Sequence, residues 1–160
     1  MIIYAIVEAS TQSQAVERGK NIFNELTGDV FKTNAVFDYS VCFDKEGLKV
    51  AGVDRWGNLP VAAHLDSAEG QQLLNRGIEE TESRFAENLE EIKQVLRNND
   101  DEEIIEDTRI RLKFNRIGRF RGSTTPMYTE RHVGIRNRDH LDEIIAEGDN
   151  LWIVPADAHF

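Results

Sequence analysis

The chain has 160 residues, of which 40% are hydrophobic and 30% are charged, and its formal net charge is -10. This length and composition are typical of one folded globular domain and exclude a disordered tail protein. Every apolar run is shorter than the roughly 20 residues that cross a bilayer, so we expect neither a membrane span nor a signal peptide. We predict a single α+β domain over residues 1–160.

The first two predicted elements are a strand and a helix. Residues 2–8 form a short apolar run that is rich in β-branched side chains, which favours a strand. Thr11 to Gln14 has the form of a capping box, and apolar residues then recur at helical spacing as far as Leu26. We therefore predict a helix that begins after Thr11 and ends before Gly28.

The next segment predicts a β-hairpin. Residues 35–44 alternate between apolar and polar side chains, and a turn at residues 44–47 leads to a second predicted strand at residues 48–54. Residues 59–65 predict a third strand, which Pro60 restricts to an edge position or a strand start.

The longest predicted element is a helix over residues 68–97, preceded by a second capping-box pattern at Asp66 to Glu69. Such a helix is about 45 Å long, which exceeds the core of most domains of this size. Gly77 and the polar residues 98–100 leave a kink or an early stop open. We expect the helix to project and to pack against its copy in a dimer. The candidate interface is its apolar stripe, Leu74, Ile78, Phe85, Leu89 and Ile92.

The C-terminal third is predicted to contain two strands and a helix, with a further short strand at residues 128–133 left open. Residues 109–114 alternate between cations and apolar residues, which predicts a strand with a basic outer face. Asn137 or Asp139 can cap a short helix that ends at Gly148, and residues 151–154 predict a final strand.

This order of elements predicts an α+β fold with a ferredoxin-like βαββαβ core, a long helix and additional C-terminal β-α-β elements. The prediction is an analogy at the level of the fold, and it carries no function with it.

Charge is distributed unevenly along the chain. Residues 79–107 contain twelve acidic and three basic residues, whereas residues 109–140 contain nine basic and two acidic residues. The two blocks are adjacent, so we expect them to neutralise each other, within one chain or across an oligomer interface. The whole chain has 29 acidic residues but only six lysines among its 19 cations. This composition is typical of proteins from salt-loving archaea or their viruses, in which high salt screens the self-repulsion.

The sequence contains no nucleotide-binding, hydrolase, zinc-protease or calcium-loop motif, so we predict no cofactor and no metal and lean against an enzyme. The single Cys42 excludes an internal disulfide and indicates a reducing compartment, which favours a cytoplasmic location. His132 and His140 lie near acidic residues, but their spacing is weak evidence for a metal site. An enzyme site near Trp56 or His132 remains an alternative.

The basic segment is a second candidate site. Cations at period two on a strand are about 6.6 Å apart, close to the spacing of neighbouring phosphates. The net charge of the chain opposes nucleic-acid binding, which is therefore an alternative rather than the favoured prediction. Its candidate residues are Arg109, Arg111, Lys113, Arg119 and Arg121.

From the sequence we therefore predict a non-enzymatic binding or homo-oligomeric assembly module. A nucleic-acid or phosphate-binding protein and a small-molecule enzyme are the alternatives.

Overall fold

A computed structural model describes residues 1–28, 35–43, 59–119 and 125–159. These residues form a mixed α+β fold in which a five-stranded mixed sheet is packed against helices. The elements in chain order are β1 (Ile2–Glu8), α1 (Gln12–Leu26), β2 (Tyr39–Cys42), β3 (Ala63–His64), α2 (Ala68–Asn98), α3 (Asp101–Glu106), α4 (Thr108–Arg119), β4 (Met127–Thr129), α5 (Arg138–Glu147) and β5 (Leu151–His159).

The sheet is built around β1 and β5. Its strand order is β2-β5-β1-β4, and β3 pairs with the same edge of β5 as β2 does. β1 is antiparallel to β5 and parallel to β4. Because β1 lies between two neighbours and under helices on both faces, its residues from Ile3 to Val7 are all buried. This burial explains why its sequence is continuously apolar rather than alternating.

Alternate residues of the sheet belong to two separate cores, one on each face. Ile3, Ala5 and Val7 face α1 and pack with its Ile22 and Phe23. On the opposite face, Tyr4 and Ile6 belong to the core that includes Leu74 and Ile78 of α2 and Leu141 of α5. The sheet is therefore the middle layer of an α/β/α arrangement.

Pro155 lies inside β5, between the part of this strand that pairs with β2 and the part that pairs with β3. The backbone N–H of Ala158 donates to the Met1 oxygen, on the side of β1, at 2.8 Å. Because the N–H groups of successive residues in a strand point to opposite edges, those of residues 158, 156 and 154 face β1 and those of odd-numbered residues face away from it. Position 155 therefore faces the other edge, where β2 pairing ends at Ala156 and β3 pairing ends at Ile153. The missing N–H of proline costs no ladder hydrogen bond there.

Several predicted elements are confirmed. The long helix covers Ala68–Asn98, with Ser67 as its N-cap. The short helix Arg138–Glu147 begins after Asn137, whose side chain accepts from the His140 N–H at 3.0 Å. The final strand is longer than predicted, since the sequence pattern ended at residue 154 and the strand continues to His159.

The ferredoxin-like topology is not confirmed. The C-terminal strand β5, predicted as an addition to the ferredoxin-like core, lies beside β1 in the middle of the sheet, and β1 and β4 are parallel. Within residues 35–44, the strand is limited to Tyr39–Cys42 and pairs with β5. Its predicted hairpin partner at residues 48–54 lies outside the described residues.

The predicted basic strand at residues 109–114 is wrong, because these residues belong to helix α4. Ile110, Leu112 and Phe114 alternate as in a strand, but Ile110, Phe114 and Ile117 are also spaced as on one face of a helix. α2 lies against α4 and covers this helical face only in part, because Ile110 is buried whereas Phe114 is 40% and Leu112 is 49% exposed. Contact with α2 favours the helical pattern over the alternating one.

Candidate functional site

The first candidate surface is a helical arm, which we define as residues 82–119. α2 is in contact with the sheet through its first four turns, where its buried residues extend from Gly70 to Thr81. Beyond Thr81, Ile92 is the one buried residue of α2. The rest of this helix, together with α3 and α4, forms the arm.

The predicted interface stripe is divided between the body and the arm. Leu74 and Ile78 are buried in the core of their own chain, so they are not available to a partner. Phe85 is half buried, and Leu89 is exposed. Ile92 is buried, as is Ile110 of the contacting helix α4.

The arm also exposes large apolar side chains. Among the described residues, seven large hydrophobic side chains are exposed, and five of these belong to the arm. Folded proteins rarely expose several large apolar side chains in one region. This concentration on the arm therefore marks a surface that is suited to a protein contact. These five residues are Leu89, Leu96, Ile105, Leu112 and Phe114.

Charges on the arm are partly neutralised within the chain. Lys113 forms an ion pair with Glu91 of α2, and Arg109 pairs with Asp107 at 3.0 Å. Arg111 donates to Thr108 Oγ1 at 3.1 Å. The acidic and basic blocks therefore meet within one chain at these pairs. Such exposed pairs contribute little to stability.

The predicted flat array of cations does not form, because a helix distributes Arg109, Arg111 and Lys113 around its axis. The side chain of Arg119 and the whole of Arg121 lie outside the described residues.

Asp107 links α3 to α4. Its Oδ1 atom accepts from the Arg109 N–H at 2.7 Å, so it caps the start of α4. The side-chain hydrogen bond from Arg109 lowers the pKa of the Asp107 carboxyl, and the same bond raises the pKa of Arg109.

The second candidate site is an open cleft of about 540 Å³ at the end of the sheet. It lies where the parallel strands β1 and β4 end, at Glu8 and Thr129, and α5 forms one of its walls. In sheets with parallel strands, ligands commonly bind outside the carboxyl ends of the strands. Its titratable and charged lining residues are Glu8, Glu130, Arg131, His140, Glu143 and Glu147.

Two of these carboxylates are held in place by the protein. Glu8 Oε1 accepts from the Asp149 N–H at 3.1 Å. Glu130 Oε1 accepts from the Glu8 N–H and from Arg18, each at 3.0 Å. The lining also includes the apolar residues Ile6, Val133, Ile144 and Leu151.

The sequence placed the alternative enzyme site near Trp56 or His132, and it gave only weak evidence for a metal site at His132 and His140. Trp56 lies outside the described residues. His132 has a left-handed backbone with φ of 59° in the turn after β4, next to two cleft residues. Within residues 1–28, 35–43, 59–119 and 125–159, no group of three His, Cys, Asp or Glu side chains is arranged to hold a metal ion. Cys42 is buried on β2.

Sequence reasoning missed the cleft, although two signals pointed to it. Glu8 ends an apolar strand, and His140, Glu143 and Glu147 are spaced as on one face of a helix. The parallel pairing of β1 with β4 brings these residues to one place, and no local pattern predicts that pairing.

In the described part of the chain, no helix combines the length and the apolar character that crossing a membrane requires. No curated protein and no solved structure matches the chain. Residues 1–160 match the family described as Domain of unknown function (DUF7995). Because this match covers every residue, the chain belongs to that family.

Proposed function

We propose that this protein is a homo-oligomeric assembly module that associates with a second copy through its helical arm. The observation that carries the proposal is the set of exposed apolar side chains on the arm, with Leu96 at 51% and Ile105 at 68% exposure. Burial of such side chains against a partner is the main favourable contribution to protein association.

The charge of the arm supports a second copy as the partner. Residues 82–107 contain ten acidic and three basic residues, a net charge of -7, whereas residues 108–119 contain five basic and no acidic residues. In a two-fold symmetric dimer, each contact occurs twice. Arg109 and Lys113 pair with acidic residues of their own chain, whereas Arg111 forms no ion pair among the described residues. Arg111 of one copy can then lie against acidic residues of the other, and the reverse contact forms at the same time.

The proposal is tested by the molecular mass in solution of Leu96→Glu and Leu112→Glu variants, measured by light scattering over a range of protein concentrations. Both residues are exposed, so the substitutions leave the cores intact. We expect the unsubstituted protein to be a dimer or a larger species. We expect each variant to shift the dissociation midpoint about tenfold or more toward higher concentration, because a charge is then buried in the interface.

Tyr39→Glu is the matched control. Tyr39 is 50% exposed, close to the value for Leu96, and lies on β2 outside the arm. This variant adds the same charge and is expected to retain the mass of the unsubstituted protein. A monomer at all concentrations overturns the proposal, and so does a dimer that all three variants leave unchanged.

A further inference from the structure

We infer that the cleft between β1, β4 and α5 binds a small organic cation that has an ammonium group and a short aliphatic chain. The inference is independent of the proposed assembly function, because no residue of the arm lines the cleft.

The cleft has the size and position of a ligand site. Its volume of about 540 Å³ lies within the range of about 300–1,000 Å³ found for small-molecule pockets. It opens at the carboxyl ends of β1 and β4, where Glu8 is the last residue of β1 and Glu130 follows β4 directly.

The charge of the cleft favours a cation. Four carboxylates line it, against the single permanent cation Arg131. Arg18, which is outside the lining, pairs with Glu130 at 3.0 Å. Glu143 and Glu147 have no ion-pair partner in the part of the chain that the structure describes. Both side chains are exposed, so a cation in the cleft can pair with them without displacing a partner within the described chain.

The position of these two glutamates strengthens the argument. They are four residues apart on α5, so their like charges repel each other. Glu147 also lies in the last turn of the helix, where the helix dipole disfavours negative charge and no basic residue offsets it. Two unfavourable electrostatic contributions therefore act at this wall of the cleft.

The apolar lining distinguishes an organic cation from an inorganic ion. Ile6 and Leu151 are buried beneath the cleft, and Val133, which is 51% exposed, lies on its surface. A hydrated metal ion gains nothing from these side chains. Since the described acidic residues also lack a metal-binding arrangement, the lining fits a ligand that combines N–H donors with a hydrocarbon chain.

The inference is tested with three probes: pentylamine has both an ammonium group and a hydrocarbon chain, pentan-1-ol has only the hydrocarbon chain, and ammonium chloride has only the cation. The measurement is nuclear magnetic resonance of the methyl groups of Val133 and Ile144 during titration of each probe at constant ionic strength. We expect saturable shifts with pentylamine, and about tenfold weaker binding or none with the other two, since each lacks one of the two contacts.

A Glu143→Gln, Glu147→Gln double variant tests the carboxylates. Both substitutions are on the exposed part of α5 and relieve repulsion, so folding is retained, which circular dichroism checks. We expect the affinity for pentylamine to fall about tenfold or more. Glu17→Gln, on the exposed face of α1, is the matched control and is expected to leave the affinity unchanged.

Two results would overturn the inference. One is the absence of saturable pentylamine shifts at Val133 and Ile144. The other is an equal response to ammonium chloride or in the double variant, which identifies non-specific attraction to an acidic protein. Neither result bears on the proposed dimer, because the dimer is tested by the molecular mass of variants whose substitutions lie outside the cleft.

Discussion

Gly70 shows how strongly a single residue is constrained at the point where α2 meets β3. A Cβ atom at this position lies 2.0 Å from the backbone oxygen of His64, which cannot rotate away. We predict that Gly70→Ala lowers the free energy of unfolding by at least the ~1–3 kcal/mol typical of overpacking. Chemical denaturation monitored by circular dichroism measures the change.

Gly118 is the matched control, because a Cβ atom there meets no atom within 4 Å. It lies in α4, where alanine is favoured over glycine by about 0.5–1 kcal/mol. Gly118→Ala is expected to be neutral or stabilising. Equal effects of the two substitutions would falsify the close approach of α2 to His64.

At the scale of elements, the start of α4 is predicted to depend on pH. The pKa of Asp107 is lowered by its hydrogen bond from Arg109, so the carboxylate form supports the cap. This contribution is complete above the ordinary pKa of an aspartate and is lost as the pH falls through the lowered value. We expect hydrogen exchange of the amides at residues 109–112, corrected for its intrinsic pH dependence, to lose protection under acidic conditions.

An Asp107→Asn variant separates this effect from general acid unfolding. Asparagine still accepts a hydrogen bond at the cap but carries no charge. The acid-dependent change at residues 109–112 should therefore disappear in the variant while the sheet amides behave as before. A pH dependence that persists in the variant contradicts the role of Asp107.

The α4 segment also shows why local patterns can mislead. Its cations and apolar residues satisfy both a period of two and a helical period, and no residue within the segment decides between them. The helix α5 is different, because a capping residue, Asn137 or Asp139, and Gly148 mark its two ends in the sequence, and the structure has Asn137 as the N-cap. Capping residues made that prediction reliable.

For the whole molecule, net charge and internal pairing predict weak binding to nucleic acids. The chain has a formal charge of -10, and Arg109 and Lys113 pair with acidic residues of their own chain. We expect no saturable rise in the fluorescence anisotropy of a labelled, mixed-sequence oligonucleotide at about 0.15 M salt.

An Arg111→Glu, Lys113→Glu variant shows whether any nucleic-acid binding that is observed uses these two cations. If the protein does bind, log affinity should fall with log salt, and the slope should flatten in this variant because phosphate contacts are lost. Observation of both effects supports the nucleic-acid alternative and contradicts the prediction made here.

The sequence by itself determined those helices and strands that depend only on residues close together in the chain. The apolar run of β1, the capped ends of α5 and the long stripe of α2 were each recognisable without tertiary contacts. Their side-chain periodicity and caps act over a few residues, so they can be identified from adjacent positions.

Only the tertiary structure decided the arrangement of these elements. The place of β5 beside β1, the helical state of residues 109–114 and the cleft at Glu8 and Glu147 all depend on residues far apart in the chain. Strand pairing and helix packing depend on which distant surfaces bury each other best, and this competition leaves no signature within a local segment.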